Sequence, residues 1–69
     1  MKLKTLLGTM LSDEPIFLHF YSSDAKTFLF AKQYTWEECF RDFDHLTVLT
    51  IFPGDIGYNI EVCKKEKTK

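Results

Sequence analysis

The side chains with the widest chemical repertoire in this sequence are His19, His45, Cys39 and Cys63. A zinc site would need several of them, or nearby carboxylates, to converge at a spacing such as C-x-x-C. None is spaced that way, so no metal ligands and no cofactor are expected. A Cys–His nucleophilic pair is disfavoured because Cys39 falls on the apolar stripe of a helix, where a thiol is usually inert. Gly8, Gly54 and Gly57 are scattered, and none opens a helix after a strand, so the chain lacks a phosphate-cradling loop. Paired carboxylates for acid–base work need a pocket, which a chain of 69 residues seldom encloses. An enzyme is therefore not expected, and no catalytic residue is assigned.

The aromatic residues offer more. The chain carries seven Phe, three Tyr and one Trp, and each ring can bury on the order of 150–250 Å². That is enough for a core with rings left over for a surface. Within Ile16–Tyr21, the residues Ile16, Leu18 and Phe20 face one way and Phe17, His19 and Tyr21 the other. Phe28 and Phe30 join the second set if Leu29 and Ala31 face the helices. Phe17, His19, Tyr21, Phe28 and Phe30 are thus the candidate partner-binding residues, and such an apolar patch marks an interface with another protein or a second copy of the chain. The same rings, with the basic tail Lys64-Lys65-Glu66-Lys67-Thr68-Lys69, also suggest a nucleic-acid-binding accessory protein that stacks bases. Against that reading, the formal net charge is −1, Lys26 and Lys32 are the only basic residues near the patch, and no RNP-type motif is present.

The elements that would position these residues alternate regularly. Leu3, Leu6, Leu7, Met10 and Leu11 recur on one face of a helix over Leu3–Leu11, which Pro15 and the residues before it stop. Strands follow at Ile16–Tyr21 and Thr27–Ala31, separated by the turn-forming Ser22-Ser23-Asp24. Thr35-Trp36-Glu37-Glu38 is a capping box that opens a second helix, Trp36–Phe43, with Trp36, Cys39, Phe40 and Phe43 as its buried stripe. Its other face carries Glu37, Glu38, Asp42 and, just beyond, Asp44. Arg41 interrupts them and is expected to pair with Glu37 or Glu38, as on an ordinary solvated helix. Leu46–Phe52 and Tyr58–Cys63 read as a final strand pair around the turn Pro53-Gly54-Asp55.

The fold class expected is α+β in the order αββαββ, with a four-stranded antiparallel sheet and two helices on one face. The core expected is Leu3, Leu6, Leu7, Met10, Ile16, Leu18, Phe20, Trp36, Phe40, Phe43, Ile60 and Val62. Residues 1–63 form one domain and 64–69 a basic tail that reads as a solvated, flexible end. Two cysteines make no disulfide framework, and reduced thiols point to the cytoplasm. The apolar run at the N-terminus is too short for a signal peptide, and no stretch approaches the roughly 18 apolar residues of a membrane span.

Met1-Lys2-Leu3-Lys4-Thr5-Leu6-Leu7 with Met10, then Asp13-Glu14, the strand Ile16–Tyr21 and a short closing strand such as Tyr58–Val62 carry a resemblance. The chain resembles short proteins encoded by phages and prophages of Gram-positive bacteria. The resemblance is one of style over most of the chain and assigns no functional residue. It implies a cytoplasmic, non-enzymatic accessory protein made in an infected host cell. Proteins of this kind often bind and block a host machine or a defence complex, CRISPR nucleases included, so an inhibitor of the anti-CRISPR type is the implied function.

Overall fold

The computed structural model describes residues 1–10 and 13–64. Two helices and four strands follow one another as α1 (Leu3–Leu7), β1 (Ile16–Tyr21), β2 (Phe28–Tyr34), α2 (Trp36–Asp42), β3 (Thr47–Pro53) and β4 (Tyr58–Cys63). The first helix is shorter than its apolar spacing predicts. Its C-cap, Gly8, remains in right-handed helical geometry; the Gly8 N–H donates to the Lys4 carbonyl at 3.3 Å and the Thr9 N–H to the Leu6 carbonyl at 2.9 Å. Leu11 lies outside the described residues, as does the tail beyond Lys64.

The second helix opens as its capping box dictates. The Glu38 backbone N–H donates to Thr35 Oγ1 at 3.1 Å, and the Thr35 backbone N–H donates to Glu38 Oε1 at 3.0 Å. Two N–H groups that a helix start leaves without partners are thereby satisfied. Arg41 pairs with Asp42, not with Glu37 or Glu38. Its guanidinium donates to both carboxylate oxygens, at 3.0 and 2.9 Å. The bidentate fit of a planar guanidinium to the adjacent carboxylate replaces the helical spacing expected from the sequence.

The sheet is mixed, which corrects the expectation of a purely antiparallel one. The strand order is β2-β1-β4-β3, with β1/β2 and β3/β4 antiparallel and the central pair β1/β4 parallel. Turn chemistry fixes pairing only within each hairpin. How two hairpins join depends on which strands are most apolar toward the core. β1 contributes Ile16 and Leu18 and β4 contributes Ile60 and Val62, all fully buried. These strands take the centre, and the segment β2–α2–β3 serves as the long crossover that a parallel pair requires. β2, which carries Lys32, is left at one edge, as charged strands tolerate. The chain's own start lines part of the other edge. Lys2 bridges Thr47, the Val48 N–H donates to the Met1 carbonyl at 2.7 Å, and the Leu3 N–H to the Leu46 carbonyl at 2.8 Å.

One cluster gathers Leu3 and Leu7 from α1, Cys39 from α2, Ile16 and Leu18, Ile60 and Val62, and Leu46. Leu6, Met10, Phe20, Trp36 and Phe43 pack against it half-buried. Phe40, expected in the core, is 42% exposed. It stacks on Trp36 with ring centroids 5.2 Å apart, and Trp36 takes the inner position. The Trp36 indole N–H donates to the Leu7 carbonyl at 2.9 Å, which ties α2 to the end of α1.

Candidate functional site

Strand periodicity carries every second residue of β1 and β4 away from the core. Phe17 and His19 sit beside Asn59 and Glu61 in the parallel register, with Tyr21 beside the buried Cys63, and β3 adds Thr50 opposite Glu61 and Phe52 opposite Asn59. Side-chain bonds run across the strands. His19 Nε2 lies 3.0 Å from Asn59 Oδ1, within hydrogen-bond distance. The Tyr21 hydroxyl donates to Glu61 Oε2 at 3.2 Å. Loss of hydration, followed by the bond to Glu61 and its charge, holds the Tyr21 phenol above its ordinary pKa. Tyr21 therefore remains a donor across the physiological range.

Rings surround this polar pair. The His19 ring is 5.5 Å from Phe52 and 6.4 Å from Phe28, and Phe28 lies edge-on to Tyr21 at 5.6 Å. Phe17 borders a shallow cleft of about 270 Å³ with Gly54, Asp55, Ile56 and Asn59. A second cleft of about 350 Å³ lies between Asp13–Pro15 and the β2–α2 junction, lined also by Tyr34 and Trp36. It is lined by the acids Asp13 and Glu14 with Gln33 and Thr35, whereas the aromatic face joins side chains of all four strands by hydrogen bonds and ring contacts and is the stronger candidate for binding.

Of the five residues expected to share this face, Phe17, His19, Tyr21 and Phe28 lie together. Phe30 does not. The register sets Ala31 opposite His19 and Phe30 opposite Phe20, and Phe30 stacks on Phe20 at 4.5 Å, on the core-facing side. Phe28 and Phe30 part company at a bulge. Tyr21 pairs with Phe28 while Phe20 pairs with Phe30, so Leu29 is the extra residue and the strand turns over between the two rings. Phe52, Asn59 and Glu61 were not assigned from the sequence. The alternation of Asn59 and Glu61 against Ile60 and Val62 is visible there, but the adjacency of β4 to β1 is not.

Both cysteines are free and buried, and among the described residues no group of three or more His, Cys, Asp or Glu is placed to hold a metal ion. Burial, helped by the Glu38 charge, pushes the Cys39 thiol up to about 12 from 9.0. The folded state therefore keeps the neutral thiol where the unfolded chain ionises. The stability this contributes is complete below pH 9 and is lost as pH rises from about 9 toward about 12. Cys39 is expected to resist iodoacetamide in the folded protein at neutral pH and to react on addition of denaturant. Mass spectrometry of the alkylated chain checks this, and equal labelling rates in the two states would refute it.

No family model, no curated protein and no solved structure matches this chain. Among the described residues, no helix is long and apolar enough to cross a membrane.

Proposed function

We propose that this protein is a non-catalytic protein-binding module that docks through the face bearing Phe17, His19, Tyr21, Phe28 and Phe52. The observation that carries the reading is an aromatic face on the central parallel strand pair, with Phe17, His19, Tyr21 and Phe52 half-buried and Phe28 of the neighbouring strand exposed. Parallel strands are generally covered on both faces. Here the gathering of α1, α2 and the Ile16, Leu18, Ile60 and Val62 side chains into one cluster supports both helices covering the same face. On the other face Phe17, His19, Tyr21 and Phe52 are half-buried, and Cys63 at its end is buried. Phe28, 52% exposed, gains most from being covered.

The resemblance to phage-encoded proteins extends this reading to an inhibitor of a host or defence protein, such as an anti-CRISPR, acting in the host cytoplasm. A second copy of the chain is the competing occupant. Nucleic-acid binding by the same rings is the alternative, and Glu61 and Asp55 disfavour it by placing negative charge where phosphates would pass.

The test is capture of binding proteins from host lysate with the wild-type chain and with Phe17→Ala and Tyr21→Ala. Each variant is expected to weaken association on the order of 30-fold, the loss typical of an aromatic anchor worth about 2 kcal/mol, with circular dichroism unchanged. Retention of the same partner by a folded Phe17→Ala, Tyr21→Ala double variant would overturn the reading. Association that appears only as self-association in sedimentation would assign the face to a homodimer.

A further inference from the structure

Resting on the docking reading above, we propose that the protein partner presents an arginine side chain to Glu61, flanked by apolar residues that meet the rings around it. Glu61 stands within the aromatic face, between His19 and Tyr21 of β1 and Thr50 of β3. Its carboxylate accepts from the Tyr21 hydroxyl. Among the described residues Arg41 pairs with Asp42, His45 Nδ1 lies 3.6 Å from Asp44, and no cation lies within pairing distance of Glu61. His19, its register neighbour, directs Nε2 to Asn59 instead.

In the free protein water solvates this half-buried carboxylate. An occupant that covers the rings removes that water. An ionised carboxylate left with a single neutral donor in a dry interface is heavily penalised, so an occupant lacking a cation is rejected and one that supplies it is selected. The rings decide which cation fits. A guanidinium is planar, weakly hydrated and stacks on aromatic faces, while its paired N–H groups meet both oxygens of one carboxylate. Lysine brings a compact, strongly hydrated charge that the rings solvate less well. Tyr21 and Phe28, in contact at 5.6 Å, supply aromatic surface beside the carboxylate. Asp55, on the cleft shared with Phe17 and Asn59, adds charge of the same sign. Complementarity therefore points to a basic, apolar-flanked peptide segment and away from a polyanion.

The experiment follows the backbone amide resonances of the isotope-labelled full chain during titration with acetyl-Leu-Arg-Leu-amide, with its neutral norleucine counterpart and with a short oligothymidylate. The arginine peptide is expected to shift the amides of His19, Tyr21, Asn59 and Glu61. It should bind Glu61→Gln about fivefold more weakly, and high salt should weaken its binding to the wild-type chain. Glutamine keeps an oxygen for the Tyr21 hydroxyl, and unchanged resonances in the core verify that the variant folds. Equal binding of arginine and norleucine peptides at this face, with no effect of Glu61→Gln, would overturn the arginine and leave the docking face standing. Shifts confined to other surfaces would overturn both. Oligothymidylate binding that tightens in Glu61→Gln would overturn the proposal in favour of nucleic acid.

Discussion

Gly57→Ala is expected to destabilise the protein by at least about 2 kcal/mol and to lower its melting temperature by about 10 °C or more. Gly57 adopts φ +73° immediately before β4, a left-handed conformation that costs a side-chain-bearing residue about 1–2 kcal/mol. Space is shorter still. A Cβ there would lie inside van der Waals contact of the Pro15 carbonyl oxygen and 2.8 Å from Pro15 Cγ. That same oxygen accepts the Tyr58 N–H at 3.0 Å, the bond that begins the β1/β4 pairing. The obstruction comes from backbone, which cannot rotate away, so relief requires β4 to separate from β1 at its first residue. Gly54→Ala provides the contrast. Its added Cβ meets the Asn59 side-chain amide, which can turn aside. Gly54→Ala should therefore fold with a smaller loss of stability and weaken the His19–Asn59 bond. Thermal melts of the two variants by circular dichroism check both statements, and equal losses would refute the distinction.

Gly57 also shows where sequence reading reached its limit. Its identity signals a turn near the start of β4. Its need for close approach to Pro15 follows only once β1 and β4 lie side by side. The capping box at Thr35 and the bounds of Ile16–Tyr21 and Tyr58–Cys63 depend on neighbouring residues, and these were legible. The parallel pairing depends on how two hairpins share one hydrophobic layer, a long-range choice that no local spacing encodes. The shortness of α1 has a similar origin. Apolar spacing continues to Leu11, but the helix ends at Leu7, whose carbonyl accepts both the Met10 N–H at 3.2 Å and the Trp36 indole N–H at 2.9 Å.

The aromatic face was legible in β1, where Phe17, His19 and Tyr21 alternate with core residues, and only partly so in β2. Thr27–Ala31 is apolar on both sides, so its pattern assigned no face to any ring. A single extra residue at Leu29 decided the matter by turning Phe28 and Phe30 to opposite sides. Glu61 was hidden for a different reason. Alternation exposes it on β4, but its importance comes from the Tyr21 hydroxyl, contributed by a strand 40 positions earlier in the chain.

Leu18→Ala is expected to cost about 2–5 kcal/mol, the range for truncating a fully buried leucine whose surroundings cannot collapse. Leu18 has no exposed surface, pairs with Ile60 in the parallel register and belongs to the cluster shared by both helices. Stability of roughly 0.05–0.15 kcal/mol per residue gives a domain of this length only about 3–10 kcal/mol in total. The substitution therefore removes a large share of it, and a substantial unfolded population at physiological temperature is the expected result, read by urea denaturation. Leu18→Met, which conserves volume, should cost less than about 1.5 kcal/mol, and equal losses in the two variants would refute the cavity account. The neighbouring residues of the same strand separate stability from binding. Phe17 and His19 point away from the cluster that holds Leu18, so truncating them should leave the melting transition nearly in place while binding falls. A strand whose alternate residues divide in this way lets loss of binding in Phe17→Ala be ascribed to the surface, and loss of binding in Leu18→Ala to the fold.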